Sequence, residues 1–401
     1  MIRNSIDSAE QFVKQRTISC SRYGVEDRIS ALPDDLLVRI LSLVPTKDAV
    51  ATMILSKRWR TIWTMVPLLE YTEIKTKSAP RLETLDIELG PHCPIDANVE
   101  KWIASAVDRR VRELGFDLMW SAKPTSLPKS LYTCDTLVDL SLYNKVYVDV
   151  SSSPVCLPSL KYLVLVYVVY KDEDSVVRLL SSCPILEYLY VKRHKQDNVT
   201  KFSVKVPSLE TLRYFNWKPK LEDIEGSLVI DSENLEEFTI GDYSTNSCSI
   251  ENKPPSLDKA VIYYYKYPDD KFMKSLSSVR YLEICLCVGT VAWCHAINFS
   301  QLTDCTICPD NSDWFEPSMS LLQNCPEVEV LLIDQELLES EDFPISFKQP
   351  DDVPLCLSTK LKIYQWKEYR GTREEKKVLR YILANSKCLK RVEISLKPTW
   401  K

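Results

Sequence analysis

Apolar residues recur in one short pattern over most of this chain. From about residue 80, eleven segments follow L-x-x-L-x-L, with apolar residues at the first, fourth and sixth positions. Apolar residues that alternate in this way lie on one face of a β-strand, and the residues between them lie on the other face. The segments are 81–89, 110–118, 136–144, 159–167, 185–193, 208–216, 234–242, 256–264, 278–286, 301–309 and 327–335.

The spacing of these segments predicts a repeat protein. Their first apolar residues follow one another at intervals of 22 to 29 residues, which is the range of leucine-rich repeats. Stacked repeats bury a continuous core, and each one contacts mainly its neighbours. Two stretches with helical spacing, 98–111 and 175–183, are expected on the convex side. Because the consensus asparagine is missing, we predict a degenerate leucine-rich-repeat solenoid.

A helical pattern precedes the repeats. Five apolar residues recur at helical spacing and predict one amphipathic helix: Leu36, Leu37, Ile40, Leu41 and Val44. Two short helices are predicted after it, over residues 46–55 and 55–63, and the second carries Trp59 and Trp63 on one face. The region therefore reads as a compact set of three helices.

The two ends of the chain differ from the repeats. Residues 1–24 are polar and without periodicity, which predicts a flexible tail. After residue 345 the repeat period lengthens, and a distinct block follows. It reads as a strand over 360–366, a turn at Gly371, an amphipathic helix over 374–385 and a strand over 389–394.

Composition narrows the possible functions. The chain has 51 Lys and Arg against 56 Asp and Glu, a net charge of −5, which argues against a basic nucleic-acid surface. Its seven glycines are never closer than 15 residues apart, so no glycine-rich phosphate loop can form. The three histidines are scattered, and the motifs H-E-x-x-H and G-x-S-x-G are absent. We therefore expect a protein that is not an enzyme and needs no cofactor.

Cysteine content and hydropathy indicate the compartment. The longest apolar run, 162–170, is too short to cross a membrane, and no signal peptide precedes the helices. Fourteen cysteines without an export signal predict free thiols in the cytoplasm or nucleus. Several cluster with one histidine and raise the alternative of a zinc site: Cys285, Cys287, Cys294, His295, Cys305 and Cys308. Their spacing inside strands suits one tetrahedral site poorly, so we interpret them as buried small apolar residues and expect no metal.

Two ordered motifs resemble known domains. Residues 32–63 resemble an F-box of the plant type, through Leu32-Pro33, the turn Pro45-Thr46-Lys47-Asp48, Leu55-Ser56 and Arg58-Trp59. The C-terminal block resembles the FBD domain, through Val353-Pro354, Leu361-Lys362, Gly371 and Tyr381-Ile382-Leu383. Together with the repeats, the chain is similar to the F-box/FBD/leucine-rich-repeat family of plants.

The resemblance implies an α/β fold with four parts. These are a flexible tail (1–24), a three-helix F-box (25–70), a degenerate leucine-rich-repeat solenoid (71–345) and an FBD-like α/β cap (346–401). It also implies a non-catalytic subunit of an SCF-type ubiquitin ligase. The F-box would dock on a Skp-type adaptor, and through it on a cullin–RING ligase. The residues implied in that contact are Leu32, Pro33, Leu36, Leu37, Ile40, Leu41, Leu55, Ser56, Trp59 and Trp63.

The repeats would bind the target protein on the outward strand positions. Our candidates come from two repeats: Lys161, Tyr162, Val164, Glu187, Tyr188 and Tyr190. Aromatic residues supply large contact areas at interfaces, although they also favour β-structure for its own sake. Two alternatives stay open: a scaffold that binds the adaptor without delivering a substrate, and a receptor with a small-molecule pocket in the solenoid. We expect no membrane partner.

Overall fold

A computed structural model of the chain describes most residues from 99 onward and a few before them. The described residues are 32–41, 52, 58–62, 82–89, 99–118, 124–150, 154–193, 199–216, 227–242, 247–252, 254–265, 270–291, 294–310, 313–335 and 346–397. The chain divides into two compact units; the first holds the described residues up to 62, and the second holds those from 82 onward. The tail expected over 1–24 lies outside the described residues.

Nine α-helices lie in the described part of the chain. They are α1 (Asp34–Leu41), α2 (Trp59–Ile62), α3 (Val99–Asp108), α4 (Glu173–Ser181), α5 (Asp270–Ser275), α6 (Val288–Val291), α7 (Phe315–Gln323), α8 (Leu355–Thr359) and α9 (Arg373–Asn385). A 3-10 helix spans Lys129–Thr133. None of the nine is long and apolar enough to pass through a lipid bilayer.

One long sheet dominates the second unit. Its thirteen strands all pair in parallel and lie side by side in the order of the chain. They are β1 (Thr84–Leu89), β2 (Glu113–Leu118), β3 (Asp139–Tyr143), β4 (Tyr162–Val166), β5 (Tyr188–Arg193), β6 (Thr211–Asn216), β7 (Glu237–Asp242), β8 (Lys259–Tyr265), β9 (Tyr281–Leu286), β10 (Asp304–Pro309), β11 (Val330–Asp334), β12 (Ile363–Tyr369) and β13 (Arg391–Leu396). Each of the first eleven strands lies in one of the eleven L-x-x-L-x-L segments, except that β8 ends one residue beyond its segment. The chain is mixed α/β.

The apolar pattern determines which face of this sheet is buried. Leu163 pairs with Leu189, and Leu189 pairs with Leu212, so the fourth positions of these three repeats form a continuous row with no exposed surface. Residues between them, such as Tyr162 and Tyr188, point to the opposite face. The register keeps this division from strand to strand, and it shifts at only two places among the described strands, after Gly241 and after Trp366.

The segments that return from one strand to the next contain both helices and short strands. The predicted helices over 98–111 and 175–183 are confirmed as α3 and α4. Two three-stranded parallel sheets were not predicted. Their strands are 125–126, 146–148 and 169–170 in one sheet, and 201–205, 227–231 and 247–250 in the other.

The C-terminal block has the predicted order of elements with shifted bounds. The first strand begins at Ile363 because the chain first forms α8, which closes when the N–H groups of Lys360 and Leu361 bond to the Cys356 carbonyl. Gly371 follows the strand with φ of +75°, a backbone region that glycine adopts at no steric cost. Thr372 then caps α9, and β13 closes the described sheet with its side chains exposed.

Candidate functional site

Helix α1 begins at residues that favour a helix N-terminus. Pro33 precedes it, and the Pro33 carbonyl accepts bonds of 3.1 Å from the Leu36 and Leu37 N–H groups. Asp34 and Asp35 lie in the first turn, where the helix dipole favours negative charge. This start fixes the angular positions of the following apolar residues around the helix axis.

Four of the apolar residues of α1 divide into two pairs. Leu37 and Leu41 are buried and pack with Trp59 and Ile62 of α2 into one apolar cluster. Leu32 and Val38 pack against the edge of that cluster. By contrast, Leu36 and Ile40 are each 44% exposed, and they lie one turn apart on the outer side of the helix.

Arg58 connects the two helices through polar contacts. Its Nε and Nη2 atoms donate to Asp34 Oδ1 at 2.8 and 2.6 Å, and Nη2 also donates to the Leu32 carbonyl at 2.6 Å. The side chain thus fastens α2 to the first turn of α1. Sequence reasoning did not give Arg58 this role. The signal available for it was the pair of acidic residues in the first turn of α1, Asp34 and Asp35.

The predicted adaptor residues therefore have different surroundings. Leu37, Leu41 and Trp59 have buried side chains that hold the unit together, and Leu32 is half-buried. Pro33 is exposed, as are Leu36 and Ile40. The remaining three, Leu55, Ser56 and Trp63, lie outside the described residues.

The predicted substrate residues come together on the outward face of the long sheet. Tyr162 pairs in register with Tyr188, and their ring centroids are 6.3 Å apart. Val164 pairs with Tyr190 in the next row. Lys161 and Glu187 precede these two strands and form an ion pair of 2.5 Å with each other. The charges of Lys161 and Glu187 are therefore partly compensated within the molecule.

The same face continues onto residues that sequence reasoning missed. Arg213 follows Tyr190 in register, and its guanidinium carbon lies 6.0 Å from the Tyr188 ring centroid. Phe215 follows Lys192 in the next row, and its ring lies 5.6 Å from that of Tyr190. Arg213 occupies the same fifth position of L-x-x-L-x-L as Val164 and Tyr190, so extending the prediction to the next repeat would have found it. Phe215 lies just after the six-residue motif, where no residue was predicted.

A glycine on β7 makes room for the Phe215 ring. A Cβ atom on Gly241 would lie 2.8 Å from that ring, closer than atoms pack. Phe215 also stacks toward Tyr263 on β8, with ring planes 21° apart. The aromatic surface therefore reaches from β4 to β8.

A carboxylate on β9 is held by two phenols. Tyr263 and Tyr281 donate to the two oxygens of Glu283, at 2.6 and 3.2 Å. Burial, followed by the hydrogen bond to Glu283, raises the pKa of Tyr263 above its ordinary value. Burial is also the main cause of the raised pKa of Tyr281. Both tyrosines therefore remain neutral hydrogen-bond donors at physiological pH.

Four of the five clustered cysteines lie in the core, and the fifth, Cys287, is half-buried. Cys285, Cys294, Cys305 and Cys308 are buried, and burial raises the pKa of the Cys294 thiol to about 12. Thiols at such pKa values stay protonated and are poor metal ligands. Among the described residues, no group of His, Cys, Asp or Glu is placed to hold a metal ion.

Three family models match separate parts of the chain. A model of the F-box domain matches residues 29–71, and a model of the FBD domain matches residues 349–394. Between them, residues 99–254 match a model of the leucine-rich repeats of the FBD-associated F-box protein At5g56370. None of these three models describes a catalytic domain.

Whole-chain relatives occur in Arabidopsis thaliana. The protein At1g22000, whose name describes an F-box/FBD/LRR-repeat protein, is 48% identical over 94% of this chain and 86% of its own length. The F-box/FBD/LRR-repeat proteins At5g56420 and At4g26340 are each 37% identical over 93% of this chain, covering 92% and 93% of their own lengths. Similarity therefore spans all three matched regions together.

Proposed function

Because this chain belongs to the F-box/FBD/LRR-repeat family of plant proteins, we propose that it is the substrate-recognition subunit of an SCF-type ubiquitin ligase. The F-box docks on a Skp-type adaptor, which connects the chain to a cullin–RING ligase in the cytoplasm or nucleus. The repeats bind the protein to be ubiquitinated.

The exposure of Leu36 and Ile40 is the observation that carries this proposal. Two aliphatic side chains one helical turn apart leave an apolar strip in water, while their neighbours Leu37 and Leu41 already fill the core. Such a strip matches the way an amphipathic helix inserts anchors at i and i+4 into a groove on a partner. The outer pair is free for the adaptor, and the inner pair keeps the helix in position.

The proposal extends to the architecture. Residues 25–70 form a three-helix F-box, residues 71–345 a degenerate solenoid, and residues 346–401 a cap, preceded by the tail over 1–24. The parallel pairing of strands in chain order supports a solenoid, since each repeat then contacts only the repeats before and after it. A cap is supported by α9, which buries Val378, Tyr381 and Ile382 at the C-terminal end.

The chain would act without a catalytic side chain of its own. A ligase subunit of this kind holds a lysine of the target close to the charged ubiquitin, so the acceleration comes from proximity and orientation. The exposed, aromatic-rich outward face of the long sheet supports target binding there, because aromatic residues and arginine are enriched at the energetic centres of interfaces.

Binding to a purified Skp-type adaptor tests the proposal directly. Leu36→Ala with Ile40→Ala should weaken adaptor binding by about thirty-fold or more, since even one interface anchor contributes roughly 2 kcal/mol. Arg39→Ala is the matched control, because Arg39 is exposed on the same helix. Isothermal calorimetry provides the affinities, and circular dichroism shows that the variants fold. Equal affinities for the double variant and the unmodified chain would refute the docking site.

A second assay separates a ligase subunit from a scaffold. The chain is assembled with adaptor, cullin, RING protein and ubiquitin-conjugating enzyme, and proteins captured on the repeats are then examined for attached ubiquitin. Transfer to a captured protein is the expected result. Capture without any transfer in the active complex would favour the scaffold.

A further inference from the structure

The centre of the outward face has a charge opposite to that of the chain. Strands β4, β5 and β6 have nine outward positions, which comprise four aromatic residues, two valines, one threonine, one lysine and one arginine. No carboxylate is among them, although the chain carries a net charge of −5. We call six of them the aromatic–basic patch: Tyr162, Tyr188, Tyr190, Lys192, Arg213 and Phe215.

Both cations of the patch contact rings instead of carboxylates. Lys192 Nζ lies 5.1 Å from the centroid of the Tyr167 ring, and Arg213 lies over Tyr188. Within the described part of the chain, neither forms an ion pair with a carboxylate. An aromatic ring orients a cation and leaves its charge uncompensated, so each cation can still bind an anion.

Few carboxylates lie beside the patch on the described strands. The outward rows that contain Arg213 and Lys192 have no acidic residue from β3 to β7. The closest acidic strand positions, Asp139 and Glu237, lie in the preceding row, and Glu237 faces Lys259 at 3.6 Å. Just outside the strands, Glu187 is already paired with Lys161, and the exposed Glu210 and Glu236 precede β6 and β7.

The arrangement of the two cations selects a ligand geometry. Arg213 and Lys192 lie on adjacent strands and are offset by two residues, because Arg213 pairs with Tyr190 and Phe215 pairs with Lys192. Strand spacing and rise place such diagonal neighbours about 8 Å apart. Alternate side chains of an extended peptide project from one face at a separation of about 7 Å.

We propose that the aromatic–basic patch binds an extended acidic segment of the target protein, with carboxylates two residues apart on Lys192 and Arg213 and apolar or aromatic neighbours against Tyr190 and Phe215. This inference rests on the proposed function, because it names the class of target that the repeats recognise. Charge complementarity selects the acidic segment, and the rings provide the desolvated contact area that charges alone lack.

Fluorescence anisotropy with designed peptides tests the patch on the full chain. The probe is a fluorescein-labelled peptide of alternating glutamate and tyrosine, which carries carboxylates at every second position. Peptides that alternate glutamine or lysine with tyrosine serve as charge controls. The glutamate peptide should bind at least about ten-fold tighter than the glutamine peptide, and its affinity should fall as salt rises.

Variants distinguish binding by the patch from an effect of the chain's net charge. Lys192→Glu with Arg213→Glu should reduce binding of the glutamate peptide by about a hundred-fold, as two charge contacts become repulsive. Arg373→Glu with Lys376→Glu makes the same change in net charge at exposed positions on α9 and should leave binding unchanged. Lys192→Arg keeps the cation and should bind as the unmodified chain does.

The contrary outcomes are equally specific. Equal binding of the glutamate and glutamine peptides, or an unchanged affinity in the double charge reversal, would overturn the proposal. Tighter binding of a phosphoserine peptide or of a single-stranded oligonucleotide to the same residues would replace the carboxylate ligand by a phosphate. Adaptor binding is measured with the same variants and should persist, so loss of the adaptor site and loss of the peptide site are distinguishable.

Discussion

Four aliphatic residues of α1 follow one another closely in the chain and yet have opposite surroundings. Leu36 and Ile40 face outward, while Leu37 and Leu41 pack against Trp59 and Ile62. All four fit a helical pattern, so the sequence alone could predict the helix but not the division. The position of α2 decides it, and that position depends on contacts between residues more than twenty apart in the chain.

The stability of the N-terminal unit should reflect this division. Leu37→Ala should lower the free energy of unfolding by about 2–5 kcal/mol, because it opens a cavity in a small core. Leu36→Ala should change it by less than about 0.5 kcal/mol, because 44% of that residue is already exposed. Urea unfolding followed by tryptophan fluorescence measures both; similar losses for the two variants would contradict the division.

Thiol reactivity provides a second test at the scale of single residues. Among the cysteines that the structure describes, Cys156 and Cys388 are exposed, whereas burial raises the pKa of Cys183 to about 11 and that of Cys356 to about 12. At neutral pH, iodoacetamide should therefore modify the exposed pair first, since the thiolate is the reactive form. Peptide mass spectrometry of the native and the urea-unfolded protein measures the order of modification. Early modification of Cys356 in the native protein would show that its surroundings are open.

At the scale of elements, the α9 helix has an N-terminal capping box. The Thr372 hydroxyl accepts from the Glu375 N–H at 3.2 Å, and the Glu375 carboxylate accepts from the Thr372 N–H at 2.9 Å. Glu375 also accepts from the Arg370 N–H at 3.1 Å, so one buried carboxylate serves two backbone donors. The box fixes the point at which the chain leaves the turn at Gly371.

Removing this cap should weaken the C-terminal block measurably. Thr372→Ala should cost about 1 kcal/mol, and Thr372→Ser should cost little because the hydroxyl remains. Hydrogen exchange of the α9 amides measures the change locally, where a melting temperature of the whole chain would dilute it. Equal protection of α9 in the Ala and Ser variants would show that the hydroxyl is dispensable.

The elements also show how far sequence reasoning reaches. Strong alternation of apolar residues predicted the strands of the long sheet, because one face of each is fully buried. The short strands 201–205 and 227–231 were missed, although both have several buried apolar residues. They lie in segments that connect repeats, where either a helix or a strand provides hydrogen-bond partners for the backbone N–H and C=O groups. Which of the two forms is decided by pairing with the neighbouring connection, and no single segment contains that information.

At the scale of the whole molecule, the middle and the end of the long sheet are not equivalent. Ile333, Trp366 and Ile394 occupy one register row across β11, β12 and β13. The first two are buried, but Ile394 is 38% exposed, since no described element covers β13 on its outer side. Whether a side chain is buried therefore depends more on where its strand lies in the sheet than on its place in the apolar pattern.

Lysine substitutions along this row should have very different costs. Ile333→Lys places a charge in the core and should prevent stable folding. Ile394→Lys should cost less than about 1 kcal/mol, and by placing a charge on an edge strand it should also reduce self-association. Thermal melting and size-exclusion chromatography measure the two effects. Comparable destabilisation by both substitutions would indicate that β13 is covered in solution.

The order of the strands has a consequence for how the protein is made. Every strand of the long sheet after β1 pairs with the strand that precedes it in the sheet and in the chain. A nascent strand that leaves the ribosome therefore finds its partner already synthesised, and no pairing has to wait for a distant C-terminal segment. Domains generally fold as units, and N-terminal segments fold first while the rest of the chain is still being synthesised. Here the sheet can grow one strand at a time behind the ribosome, with the most recent strand always serving as the template for the next.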